Sequence, residues 1–232
     1  MKRFYKEVTV AEADGNWRVL LDGRGIKTAG GRAQEVPTQA LAQALAAEWA
    51  AQGEKIDPQT FPLRDLADFA VDAIGTDPAL ALREILPYAE TDTLSYRADP
   101  EDALYQRQLA VWEPLLTAAE AKHGVQFPRV SGILHKPLSA EALARLEATL
   151  ADQDAFTLAA LRMLASLAAS LVIALAAIEP DADAEALWKA ANLEEDWQVE
   201  LWGEDWEAAE RRATRFTAFQ LAMDFSRLSR AH

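Results

Sequence analysis

The chain has 232 residues, half of them apolar, a formal net charge of −14 and no cysteine. Disulfides, thiolate metal sites and cysteine nucleophiles are therefore excluded, and the acidic balance argues against nucleic acid and anionic lipid, which select basic footprints. A chain this long can bury a real core, and only 10 Gly and 10 Pro favour helix over most of its length.

The start, MKRFYKEVTV, lacks the apolar core of a signal peptide, so a bacterial-style cytoplasmic protein, or a mature form lacking its targeting segment, is expected. FYKEVTV and NWRVLLDG carry β-branched and aromatic residues with partial alternation, and Asp22-Gly23 is a tight-turn signal. RGIKTAGG reads as a third short strand closed by Gly30-Gly31, and AQEVP as a possible fourth. Residues 4–36 thus predict a small antiparallel meander, which needs a covering helix to bury one face.

Helical periodicity takes over at PTQALAQALAAEWAAQG, with Thr38 as N-cap and Leu41, Leu45 and Trp49 on one face. Further helices are expected over Leu63–Ile74, from Asp77-Pro78 to about Thr91, and from Pro100 to Lys122, stopped by His123-Gly124. VQFPRVSGILHKPLS is irregular. Ser139 caps a helix to Leu150, and Asp154 caps an apolar helix ending before Pro180. Asp181 opens a helix through residues 192–207, and a last helix runs to about Leu228. The expected fold class is α+β, with a β-rich domain and its covering helix at 1–60 and a helical domain at 61–232.

The stretch from Leu158 to Ile178 approaches bilayer-spanning length. It contains Arg162, is rich in alanine and lacks flanking aromatic belts. It is read as a buried central helix, with no membrane insertion.

Motifs for chemistry are sparse. DGRGIKTAGG lacks the Gly before Lys27 that a phosphate loop requires, and Thr28 occupies the third glycine of a dinucleotide fingerprint. His123, His135 and His232 form no metal-binding pair. Glu90 and Asp92 could in principle serve as an acid–base pair, and a small carboxylate-dependent hydrolase using these or Glu194 and Glu195 is one alternative function. A purely structural helical module is another.

The most unusual segment is NLEEDWQVELWGEDWE, residues 192–207, with seven carboxylates, three tryptophans and no base. On an ideal helix Leu193, Trp197 and Leu201 form one apolar stripe. Val199, Trp202 and Trp206 form a second, if the helix continues through Gly203. Two stripes imply two contacts: two neighbouring helices, or one neighbour and one partner protein. Glu204, Asp205 and Glu207 are explained by a helix start and by Arg211 at i+4. Glu194, Glu195 and Asp196 find no base within their own helix. Compensation must come from elsewhere in the chain, with Arg215 or the basic meander as candidates, or from a partner.

The sequence resembles the assembly chaperones of the F-type ATP synthase catalytic sector, specifically those attending the α subunit in mitochondria and related bacteria. The resemblance runs over about residues 3–228. It rests on RFYKEV, LLDGRGIKT, AEWAAQGEKIDPQTFPL, ETDTLSYRA, WEPLL, SLVIALA and LEEDWQVELWGED, in that order and spacing. Gly25, where a proline is usual, and TAGG, in place of a Thr-Pro, are local departures. The resemblance implies an α+β protein with no catalysis, no cofactor and no metal, which binds unassembled α subunit until β displaces it. It implies a cytoplasmic place in bacteria and the matrix for mitochondrial relatives. Glu194 matches an acidic position of the family's C-terminal signature that is regarded as functionally important, and Trp49 its Glu-Trp element. The expected partner-binding residues are Glu194, Glu195, Asp196, Trp197 and Trp202.

Overall fold

Two dipeptide turns shape the N-terminal sheet. Asp14-Gly15 and Asp22-Gly23 all take positive φ, between 48° and 81°, the geometry that twists tight hairpins correctly. They join strands β1 (Val8–Ala13), β2 (Asn16–Leu21) and β3 (Arg24–Gly25) into an antiparallel sheet of order β1-β2-β3. This computed structural model describes residues 1–232 except Ile133, His135 and His232, so two of the three histidines weighed above lie outside the described residues. The third expected strand shrinks to β3 plus a Lys27–Ala33 bridge, and the fourth to a Trp17–Val36 bridge.

Helix α1 (Gln39–Ala50) starts at Thr38, whose hydroxyl accepts from Leu41 N–H at 3.1 Å. The second expected helix is α2 (Pro62–Phe69) followed by a π-helical turn over Ala70–Ile74. Pro87 divides the third into α3 (Pro78–Ile85) and α4 (Pro87–Glu90), since its ring cannot continue the backbone ladder. Strand β4 (Tyr96–Arg97) precedes α5 (Ala103–His123), which Gly124 closes in the left-handed conformation at φ 65°. Strand β5 (Val130–Ser131) and α6 (Ala140–Ala151) follow, α6 capped by Ser139.

The apolar stretch expected as one helix is two, α7 (Ala155–Ala168) and α8 (Leu171–Ala177). Ala169 sits at φ 48° and the Ser170 side chain caps α8. Leu171, Val172, Ile173 and Ala174 are all buried, as a central helix requires. No helix among the described residues is long and apolar enough to cross a membrane. The chain ends with α9 (Ala184–Ala191), α10 (Leu193–Trp202) and α11 (Trp206–Ser229). Its α+β class is as expected.

The chain falls into two compact units. The first comprises 1–81, 154–160 and 224–232. Here α1 covers β1 and β2, burying Leu41 and Leu45 with Val19 and Leu21. The Glu48 carboxylate accepts the Leu63 and Arg64 N–H groups at 2.7 and 2.9 Å, satisfying donors at the start of α2. The loop after β3 is pinned by two acids. Asp68 accepts from the Gln34 amide and from Ala29 N–H, and Asp72 from the Thr28 hydroxyl and Gly30 N–H.

The second unit comprises 82–153 and 161–223. Helix α8 packs against α4, α5 and α9, and Trp112 of α5 donates its indole N–H to Ala190 carbonyl at 2.7 Å. The parallel pair β4–β5 is tied to α5 by charge. Arg97, buried and 5.2 Å above the Trp112 ring, bonds Glu113 at 3.0 Å. Arg129 bridges Glu113 and Glu120, and these partners hold its guanidinium well above its ordinary pKa despite partial burial.

Candidate functional site

The acid–tryptophan segment is built from three helix ends. Asp183 caps α9 by accepting from Glu185 and Ala186 N–H. The helix expected to run on from Asp181 instead stops at Asn192, whose amide donates back to Trp188 carbonyl at 2.8 Å. A new helix then begins, with Asp196 N–H bonded to Asn192 carbonyl at 2.9 Å. This restart places Glu194, Glu195 and Asp196 in the first turn of α10, where the helix dipole favours acids. Their crowding therefore has a local reason that a continuous helix would have denied them.

Basic partners come from other elements. Asp196 pairs with Arg212 of α11, which holds the guanidinium above its ordinary pKa, with Glu195 and Glu204 adding to the field. Glu200 pairs with Arg107 of α5 at 2.7 Å, and that guanidinium lies 4.4 Å above the Trp197 ring. Glu194 accepts from the fully buried Gln108 amide at 2.8 Å, while Gln108 accepts from Ala98 N–H at 2.7 Å. Arg215, a candidate from the sequence, is used elsewhere: it donates to Leu167 carbonyl and faces Trp188. In the meander, Arg3 bonds Gln52 carbonyl and Arg18 pairs with Glu35. Nothing local in the sequence marks Arg107 or Gln108, about 90 residues upstream in a helix of its own. The Asn192 break had a signal, since asparagine favours helix ends.

The two stripes also change. Gly203, at φ 90° and ψ 166°, ends α10, so the helix does not continue through it. Asp205 restarts the chain as α11 by accepting from Ala208 N–H at 2.9 Å. Leu193 is buried and Trp197 half-buried under Arg107, but Leu201 is 53% exposed, Trp202 76% and Trp206 73%. Beside them lies a shallow depression of roughly 370 Å³ bordered by Glu195, Asp196, Val199, Trp202 and Arg212. Exposed indoles of this size, grouped among acids, are unusual on a surface at rest.

The other candidate acids have a different character. Glu90 is exposed at the end of α4. Asp92 has no exposed surface and accepts from Leu94 and Val172 N–H at 3.0 and 2.9 Å. Burial pushes its carboxyl up to about 6, against the pull of those hydrogen bonds. Its role is to join α8 to the turn before β4.

A helix-covered meander followed by a larger helical part is a fold this chain shares with solved chaperone structures. Atp12 from Paracoccus denitrificans superposes with a TM-score of 0.93 at 35% identity, covering 99% of this chain and 98% of that one. The same values hold for a mutant of that protein with lysine in place of an aspartate. A chaperone candidate from Agrobacterium tumefaciens is 38% identical with a TM-score of 0.91, covering 97% and 85%. The mitochondrial protein atp12 of Schizosaccharomyces pombe is 26% identical over 215 residues, 87% of this chain and 74% of that protein. The ATP12 chaperone protein family matches residues 2–120. The chain belongs to the ATP12 chaperone family, as its sequence led one to expect.

Proposed function

We propose that this protein is an assembly factor of the F-type ATP synthase, working in the bacterial cytoplasm. It captures the unassembled α subunit of the catalytic sector and holds it until the β subunit displaces it. Membership of the ATP12 chaperone family supports this reading. The observation that carries it is the exposure of Leu201, Trp202 and Trp206 at the α10–α11 junction.

An unassembled subunit presents an apolar interface that invites self-association. The indoles supply large, rigid contact area of the kind that dominates binding energy. The surrounding Glu194, Glu195 and Asp196 discourage the chaperone from associating with itself and orient a basic rim on the client, while Trp197 and Trp202 add apolar contact area. Because Arg107 and Arg212 already neutralise Glu200 and Asp196, electrostatic attraction to a client is moderate. That suits a complex that must be given up.

The test is co-purification of the α subunit with the tagged protein, in cells with and without β. Enrichment only when β is absent, lost on replacing Trp202 and Trp206 by alanine, is the expected result. No enrichment of α in either background would refute the proposal.

A further inference from the structure

The first unit holds a pocket of roughly 530 Å³ that the reading above does not use. Its apolar wall is Leu21 and Ile26 of the sheet edge, with Phe4, Tyr5 and Trp49. The three rings stack edge to face, at 5.3 Å for Phe4–Tyr5 and 5.6 Å for Tyr5–Trp49. Phe4 is 62% exposed although it touches the Tyr5 ring, so much of its phenyl surface stays in water.

Two further features give the pocket chemical direction. Trp49 is 9% exposed, and its buried indole N–H has no acceptor. The Tyr5 hydroxyl beside it donates to Trp49 carbonyl at 2.7 Å and makes no bond to the indole. That N–H has no surface of its own on the pocket, so Trp49 offers a ligand its ring rather than its donor. At the rim stand Arg24 and Lys27, both exposed and without an acidic partner among the described residues. The neighbouring Asp22 carboxylate is engaged by Lys6 and Glu7 N–H, which hold its pKa low. In a chain with 37 acids and 23 bases, two uncommitted cations beside an aromatic pocket are a local reversal of charge.

We propose that this pocket binds an acidic peptide segment of a partner protein. An apolar side chain fills the space between Phe4, Ile26 and the Trp49 ring, and a flanking carboxylate meets Arg24 and Lys27. The volume falls within the range of ordinary ligand pockets. Trp49 lies in the last turn of α1, the negative end of the helix dipole, which disfavours the dense charge of phosphates. A single carboxylate held at the rim is compatible with it. The site is separate from the α10–α11 surface and stands or falls without it.

The test follows the indole N–H signals of the full ¹⁵N-labelled chain by NMR, with Trp49→Phe used only to identify the Trp49 signal. Two capped pentapeptides are titrated, one alternating aspartate with leucine and phenylalanine, the other with lysine in place of aspartate. The acidic peptide is expected to move the Trp49 signal saturably. The double variant R24E/K27E, altered only at exposed side chains, is expected to bind it about tenfold or more weakly. The proposal is overturned if the Trp49 signal stays put at millimolar acidic peptide, or if the lysine peptide moves it equally. It is also overturned if sodium acetate or inorganic phosphate at the same concentration reproduces the shift, which would reduce the site to a general anion contact.

Discussion

Replacing Asp92 by asparagine tests the balance between burial and hydrogen bonding at the head of α8. The carboxylate accepts from Leu94 and Val172 N–H, with Ser170 and Leu171 also bonded to it, yet burial dominates and raises its pKa from 3.8 to about 6. The folded state therefore holds a proton that the unfolded state has already lost between those two values. Its stabilising contribution is complete below 3.8 and disappears as pH rises through about 6. At about 1.4 kcal/mol per pH unit, this amounts to about 3 kcal/mol in full. Asparagine cannot titrate. It keeps one acceptor and turns an amide N–H toward a backbone donor, a pH-independent cost of about 1–3 kcal/mol. The assay is urea unfolding of both proteins at about pH 4 and pH 7. Other carboxylates cancel in the difference between them. The stability advantage of the native protein over D92N should shrink by about 2–3 kcal/mol from the lower pH to the higher. An advantage that stays constant, or grows with pH, would show that the hydrogen bonds win and that Asp92 is ionised throughout.

At Gly30 a Cβ would lie 2.6 Å from the Asp72 carboxylate, which is itself held by Thr28 and Gly30. G30A should cost about 1–3 kcal/mol in chemical denaturation, and much less in a D72A background, because the two positions are in contact. Glu194→Lys removes the acceptor of the buried Gln108 amide, so about 1–2 kcal/mol of stability should be lost. Retention of the α subunit in pull-downs should fall far more steeply, and parallel losses would make the residue purely structural. Ala169, exposed at φ 48°, pays the left-handed penalty without a packing reason. Ala169→Gly should be neutral or stabilise by up to about 1 kcal/mol, and Ala169→Val should cost about 1–2 kcal/mol, read as opposite shifts in Tm.

Features governed by a few neighbouring residues were legible in the sequence. Thr38, Ser139 and Asp154 cap the helices expected of them, and Asp22-Gly23 turns the chain, because each acts on backbone groups two or three residues away. The apolar segment was correctly read as buried, but its division was not, since an alanine carries no mark of a left-handed backbone. The acidic cluster was recognised, and its need for bases outside its own helix was real. The bases themselves were misplaced: Arg212 answers Asp196, and Arg107 the neighbouring Glu200, rather than Arg215. That choice depends on how α5 and α11 pack against α10, which no pattern within residues 192–207 encodes. Gly203 was visible as a condition on the second stripe, and the condition fails.

The Arg97–Glu113–Arg129–Glu120 cluster has a thermal consequence. Hydration of ions becomes less favourable on heating, so the cost of bringing such charges together falls, while the gain from apolar burial levels off. Strands β4 and β5 share two paired positions, Tyr96 with Val130 and Arg97 with Ser131, too little backbone pairing to hold a segment by itself. Near room temperature the aliphatic packing around α8 carries most of this unit. Towards the melting point a growing share passes to these four charged side chains. The last protected amides on heating should then include those beside Arg97 and Arg129, so heat resistance in this unit is shared between its apolar core and a charged cluster built against Trp112.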